Sequence, residues 1–436
     1  MAFLLIRHYR SVVIPGLVPR LSGLIFCTFS TAWIQLNPSE SAARRTGVSY
    51  PMRHRNTVFH SILSQVSWPR FNALVAAHGT DKHVRRLSTR SQFIAMAYGQ
   101  VAGVSGLREI VTQFESHGPK LYHLGAEPAA RSTLSDANTK RSSVVFEDLF
   151  KDLVAVSHRR TRREMADLTY LIDSTHIRLN ERSAKWARYS AGVCGAKVHV
   201  VYDLNDDRPI YAAFSTANTN DITAAKEMPV LAGATYVFDL GYYDYGWWRK
   251  MHDAGCRIVT RLRKSTNLTI TRERLVLPGG PILADRIGTL PVRQKHNRHN
   301  PMDIEMREIT VRIDTGKVLR ILSNDLTSPS REISDLYKRR WAIELHFRWI
   351  KQTLKITKFS GTSKNAVRIQ IYIALIVFLL LRLAHDAQGS IPSLLEFTRL
   401  VRTHLMSRRD AANLGDPREA PFPPVPHRNS QVCCPV

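Results

Sequence analysis

At Leu168 the apolar pattern of this 436-residue chain changes, and the order of elements that follows admits few architectures. The segments LTYLID, AKVHVVYDL and PIYAAFST read as three β-runs separated by short polar connections. A helix over 221–231, a strand (ATYVFD), a helix over 245–254 and a strand (CRIVTRL) come next. Three successive strands followed by alternating helix and strand describe one mixed sheet with helices on its faces. Sheets of this kind build their sites at strand ends. The pattern puts Asp173 at the end of the first strand and Asp239 at the end of the fourth.

On either side of this region the pattern differs. From Met52 to about Ser157 it is helical, with candidate helices over 58–65, 68–78, 91–100, 107–114 and 144–157 and with Ser88, Ser91 and Ser105 as candidate caps. Basic residues (Lys82, Arg85, Arg86, Arg90, Arg131, Lys140, Arg141) crowd between these helices. The segment AEPAARSTLSDANTKR places a polar, basic helix after a turn, as a helix-turn-helix recognition element would, although a plain packing helix fits it equally. Between Lys264 and Ser334 short strands and hairpins are expected, with PGGP as a turn. An apolar helix over 367–385 follows, and the Pro-rich tail after Ser407 is expected to be disordered. Residues 1–51 make a poor signal peptide, because Pro15, Pro19 and Arg10 interrupt the apolar stretch. They read as an upstream extension to a working protein that begins at Met52.

The segment YKRRWAIELHFRWIK, Tyr337 to Lys351, has no Gly or Pro and reads as one helix. At about 100° per residue, with Tyr337 at zero, Arg340 falls near 300°, Glu344 near 340° and Lys351 near 320°. One stripe thus carries a carboxylate among phosphate-binding donors, flanked by Trp341, Leu345 and Trp349 on one side and Ile343, Phe347 and Ile350 on the other. The alternative is a solvated face on which Arg340 and Glu344 form an i,i+4 pair worth about a few tenths of a kcal/mol.

Composition narrows the partner. Lys and Arg total 62 against 36 Asp and Glu, a formal charge of +26, which suits a polyanion. Nucleic acid fits best, although a ribosomal or anionic-membrane partner would satisfy the charge alone. With 44% hydrophobic residues the chain is not a disordered basic tail. The five cysteines show no zinc-ligand spacing, so reduced thiols are expected. The most apolar run, 371–381, is short for a bilayer span and is bracketed by Arg368 and Arg382, which favours a buried core helix.

The spacing Y-x2-R-x3-E-x6-K resembles the signature of bacterial insertion-sequence transposases with a DDE active site, in the group named after insertion sequence four. LIDSTHIRL and FDLGYYDYGWWRKMHDAGCRIVTRLR resemble that family's first and second aspartate blocks, and RHRNTVFHSILSQVSWPRFNALV resembles its opening. The resemblance implies an α/β, ribonuclease H-like mixed sheet with flanking helices, interrupted by a β-rich insertion and preceded by an all-helical N-terminal domain. It divides the chain into an extension (1–51), a helical end-binding domain (52–157), the first part of the catalytic domain (158–263) and the insertion (264–334). The catalytic and closing helices (335–386) and a C-terminal helix with its tail (387–436) complete it. Asp173, Asp239 and Glu344 are then the catalytic, metal-binding carboxylates for two Mg²⁺ ions, with Mn²⁺ as the alternative. Tyr337, Arg340 and Lys351 hold DNA phosphates, and Lys351, about 10 Å along the axis from Glu344, is too distant for an ordinary ion pair with it.

The expected partners are the double-stranded DNA of the element ends and target, and a second copy of the chain in a homodimer on DNA. No membrane is involved, and the protein is expected to be cytoplasmic and nucleoid-associated. The expected activity is cut-and-paste transposition; the alternatives are an inactive DNA-binding remnant or regulator, and a ribonuclease H-like nuclease. Some family members release flanking DNA through a hairpin, stacking an aromatic residue of the insertion on a flipped base, but no Phe, Tyr or Trp occurs between Trp248 and Tyr337. Trp247 and Trp248 read as packing residues, His176, His199 and His346 as core or surface residues, and Asp221 as a helix N-cap rather than an auxiliary acid.

Overall fold

The computed structural model describes residues 56–104, 106–162, 168–293, 299–356 and 359–415. The expected extension over 1–51, the start at Met52, the candidate cap Ser105 and the tail beyond residue 415 lie outside the described residues. The stretch 408–415 is packed rather than loose: Ser61 donates to Asp410 at 2.9 Å, and Ala411 is buried.

Ten strands form one sheet: β1 (Thr169–Leu179), β2 (Arg188–Ser190), β3 (Val193–Asp203), β4 (Arg208–Thr216), β5 (Thr235–Phe238), β6 (Arg257–Arg261), β7 (Thr269–Arg274), β8 (Ile282–Thr289), β9 (Glu305–Arg312) and β10 (Val318–Ser323). β1 runs antiparallel to β3, and β3 to β4, while β1, β5 and β6 run parallel. This is the mixed sheet expected from three strands followed by strand–helix alternation, in the ribonuclease H-like order that the resemblance implied. The Val-rich β3 is buried over nearly its whole length, as a central strand covered on both faces must be. The insertion does not stand apart, because β10 pairs antiparallel with β6 and β7–β10 carry the same sheet onward.

Two local expectations are corrected. Asp173 is not at a strand end but the fifth residue of an eleven-residue strand. Antiparallel pairing with β3 continues past it to Leu179, whereas the parallel ladder with β5 stops at Ile172. Nor is the segment from Tyr337 to Lys351 one helix: Ser330–Arg339 and Trp341–Thr353 meet at Arg340. There the amide of Arg340 bonds Tyr337 O at 3.1 Å and that of Ile343 bonds Arg340 O at 3.3 Å, three-residue spacings that tighten the turn. The apolar flanks divide as well, since Ile343, Phe347 and Ile350 are buried while Trp341 and Leu345 face solvent.

Helices Val58–Leu63, Trp68–Ala77, Thr89–Ala102, Leu107–Ser116, Arg131–Lys140 and Val144–Arg162 form where the sequence pattern placed them, within a few residues. Gly118–Leu124 is an additional helix. Ser88 caps its helix by accepting the Ser91 N–H at 3.1 Å, whereas Ser91 lies inside that helix and is buried. These helices share a continuous core with the Lys364–Asp386 helix. That 23-residue helix is long and apolar enough to cross a membrane, but 83% of its apolar window is buried inside the protein. Phe150 lies against Tyr372, Arg368 pairs with Glu147 at 3.0 Å, and Ile371 and Leu375 line a cavity with Val198 and Val200 of β3, so its partners are helices and the sheet.

His346 is buried among Tyr202, Phe347 and Phe378, and neither ring nitrogen is hydrogen-bonded among the described residues. Burial alone pushes its pKa down to about 3. The unfolded chain takes up a proton as pH falls through about 6.5, and the folded chain does not. The stability this group allows is therefore complete above pH 6.5 and is lost progressively below it. Between pH 7 and 5 the loss is about 2 kcal/mol, and denaturant titrations at the two pH values should find it reduced by that amount in His346→Leu.

Candidate active site

The parallel ladder between β1 and β5 ends with Ile172 opposite Phe238, and the residue that follows each of them is an aspartate. Asp173 Oδ1 accepts the backbone N–H of Ser174 at 2.7 Å. Asp239 opens the 3₁₀ turn Leu240–Tyr242, its Oδ1 accepting the Gly241 N–H at 2.8 Å. Short side chains that bond their own following backbone are fixed in direction, so both carboxylates are aimed by the main chain.

Glu344 comes from the first turn of the Trp341–Thr353 helix. Arg340 donates to Glu344 Oε1 at 2.5 Å and to Asp173 Oδ2 at 3.4 Å. The i,i+4 pair does form, but not on a solvated face, for the Arg340 and Asp173 side chains are only 16% and 17% exposed. The guanidinium thus joins the helix to β1 and is the counter-charge for two carboxylates. The bend at Arg340 is what the sequence pattern lacked, since it hands that side chain from a helix face to the strand.

Burial raises the Asp173 pKa to about 6; the Ser174 N–H and Arg340 oppose the rise, and the charges of Asp239 and Glu344 add to it. A half-buried carboxylate facing two others is a donor set that suits a hard divalent cation, which takes oxygen ligands. Among the described residues no group of three such side chains is drawn close enough to hold an ion as it stands. The cation that Asp173 and Glu344 share is Arg340.

Tyr337 is buried, its ring 5.9 Å from the Arg340 guanidinium, and burial raises its phenol pKa. Lys351, further along the second helix, is half-buried with a pKa lowered by desolvation, and it makes no ion pair among the described residues. Asp173, Asp239, Glu344, Tyr337 and Arg340 therefore gather at one place, with Lys351 beyond them near His176. A cleft of about 1080 Å³ adjoins Tyr337 and Arg340 and is lined by Arg261, Arg312, Lys317, Lys338 and the exposed Trp341.

Asp221 departs from its expected role. Asn220 holds the N-cap position, and the Asp221 carboxylate instead accepts from Ser174 Oγ at 2.9 Å and Lys197 Nζ at 3.1 Å. Lys197, buried in β3, was the available signal, because a lone lysine in an apolar strand needs an acid. Tyr242, beside Gly241, was not singled out either; it is buried, and burial first and then the charges of Asp173, Asp221 and Asp239 hold its phenol well above the ordinary value. His199 is a core histidine, bonded to Ser215 at 2.7 Å, and Trp247 and Trp248 are buried packing residues.

The model of the transposase DDE domain matches residues 165–380, and a domain of unknown function (DUF4372) matches 54–127. A putative transposase of Sinorhizobium fredii (y4zB) is 38% identical over 69% of this chain and 83% of its own length. A probable transposase for insertion sequence element IS5377 of Geobacillus stearothermophilus is 26% identical over 67% of this chain and 80% of that one. The transposase InsG for insertion sequence element IS4 of Escherichia coli is 27% identical over 46% of this chain and 48% of that one.

Proposed function

This chain belongs to the DDE transposases of bacterial insertion sequences, enzymes of DNA cleavage and transposition that depend on divalent metal, and we propose that Asp173, Asp239 and Glu344 form its catalytic centre. What supports this reading is the convergence of those three carboxylates at the end of the β1–β5 ladder, with a guanidinium between two of them. They would hold two Mg²⁺ ions, which on binding would activate water and stabilise the departing 3′ oxygen. Asp173, aimed by Ser174 and close to both other acids, would serve both ions.

The remaining work belongs to side chains of the chain itself. On DNA, Arg340 turns from Asp173 and Glu344 to a phosphate of the element end, for which its planar fork is suited. Tyr337 braces that guanidinium, and Lys351 supplies a further point charge to the backbone. Water attacks the phosphodiester and the 3′ oxygen leaves; the freed 3′-OH then attacks target DNA, so no covalent protein intermediate is needed. Paired ends call for a homodimer on DNA. Incubation of the purified protein with a labelled element end and Mg²⁺, followed by mapping of the cut strand, tests the reading; an intact end would refute it.

We assign end binding to the helical region before Leu168. Lys82, Arg85 and Arg86 are exposed there, whereas Arg90 lies 4.0 Å over the Trp68 ring and Arg141 donates to Gln92 at 2.9 Å. Alanine at each of the three exposed positions should weaken end binding and flatten its salt dependence by about one unit of slope. Alanine at Arg90 or Arg141 should lower the melting temperature instead.

Release of flanking DNA through a hairpin is not expected. The insertion has no Phe, Tyr or Trp, and Trp247 and Trp248 are buried, with the Trp248 indole donating to Tyr242 O at 3.0 Å. A denaturing gel of the cleavage products should contain little hairpin, and an abundant hairpin band would count against this route.

A further inference from the structure

Strand alternation divides the residues around Asp173 between two faces. Asp173 and Thr175 share the side of β1 on which Phe347 and Ile350 of the Trp341–Thr353 helix lie. Ser174 pairs with His199 and His176 with Lys197, so these four side chains occupy the opposite face. Asp221 lies against that second face. Its Oδ1 accepts from Ser174 Oγ and Lys197 Nζ and stands 3.8 Å from His199 Nδ1. Lys197 is 10% exposed and gives a further bond to Thr219 O at 3.0 Å, so its charge is held in place and balanced chiefly by Asp221.

Asp221 reaches both aspartates through one intermediary each. The Ser174 hydroxyl bonds Asp221 while the Ser174 backbone N–H bonds Asp173 Oδ1 at 2.7 Å. On the other side, the Gly241 N–H bonds Asp239 Oδ1, and a Cβ on Gly241 would stand 3.1 Å from both Asp221 Oδ2 and Asp239 Oδ1. Both carboxylates would have to give by a few tenths of an ångström to admit it. Tyr242 follows, 1% exposed, and its hydroxyl is acted on by Ser174 and by the charges of Asp173, Asp221 and Asp239. A structural ion pair would need only Lys197 and one carboxylate oxygen. Here the second oxygen is turned to Gly241, at the base of the loop that carries Asp239.

We propose that Asp221 is a positioning residue for the metal-binding carboxylates: neutralised by Lys197, it fixes Ser174 behind Asp173 and confines Asp239 across Gly241, so that both are preset before cation or DNA arrives. The proposal rests on Asp173 and Asp239 being metal ligands. Residues that orient metal ligands cost about tenfold to a hundredfold in metal affinity when changed.

The test uses the full chain and Mn²⁺ alone as probe, with affinity from calorimetry or from the resonance of free Mn²⁺, alongside melting temperature and end-DNA affinity. Asp221→Asn should weaken Mn²⁺ binding about tenfold or more and leave end-DNA affinity unchanged. Gly241→Ala presses on the same contact without touching the Lys197 pair, should weaken Mn²⁺ similarly, and carries the test if Asp221→Asn fails to fold. Removing the pair as a whole, Lys197→Met with Asp221→Asn, should not restore Mn²⁺ affinity; full restoration would mean that only an unpaired lysine mattered and would overturn the proposal. Asp173→Asn is the control. If it loses Mn²⁺ binding while Asp221→Asn and Gly241→Ala bind as the unaltered chain does, the positioning role alone falls. If Asp173→Asn itself binds Mn²⁺ normally, the metal-ligand reading falls and this one with it.

Discussion

Glu344→Gln, Asp173→Asn and Asp239→Asn should each lower cleavage of an element end by about three orders of magnitude or more, with end affinity nearly unchanged. Each swap keeps volume and removes one carboxylate charge. Their effect on stability separates the catalytic reading from a structural one. Ionised Asp173 is costly in the folded protein, because burial and the neighbouring acids raise its pKa to about 6. Asparagine there removes that cost, so the melting temperature of the metal-free protein should hold or rise. A structural role predicts the reverse, falling stability with cleavage intact, and full cleavage by Glu344→Gln would end the catalytic assignment.

Arg340→Ala should be the most disruptive of the basic changes and should act in two directions. Without DNA, Arg340 is the counter-charge of Asp173 and Glu344, and breaking such a half-buried network costs about 3 kcal/mol. The melting temperature should fall, and if Asp173 and Glu344 hold a cation, Mg²⁺ should restore part of it by supplying the missing counter-charge. On DNA the same variant should bind the end more weakly, with the salt dependence flattened by about one unit of slope. Arg340→Lys should rescue neither effect well, since a point charge does not span two carboxylates as a fork does. Thermal melts with and without Mg²⁺, together with end affinity at several salt concentrations, decide this; a variant as stable as the unaltered chain and indifferent to Mg²⁺ would refute the counter-charge role.

The order of strands and helices after Leu168, the helical character before it, and the approach of Asp173, Asp239 and Glu344 were legible in the sequence. Apolar periodicity is a local property, and the three acids were marked by the resemblance of the blocks around them to those of a known family. Four matters were decided only in three dimensions. Asp173 belongs to the middle of its strand because β3 pairs further along β1 than β5 does, and the length of a ladder depends on the partner. The helix breaks at Arg340 where no Gly or Pro marks it; the guanidinium at that turn is bonded to an acid on another element. Asp221 faces Lys197 rather than its own helix end, because a lysine buried in β3 needs a carboxylate and a cap has other solutions. The helices before Leu168 share their core with the Lys364–Asp386 helix, and β10 extends the central sheet. Contacts between segments distant along the chain leave no periodicity in either one, so the sequence determined which elements form and the tertiary structure decided what each of them faces.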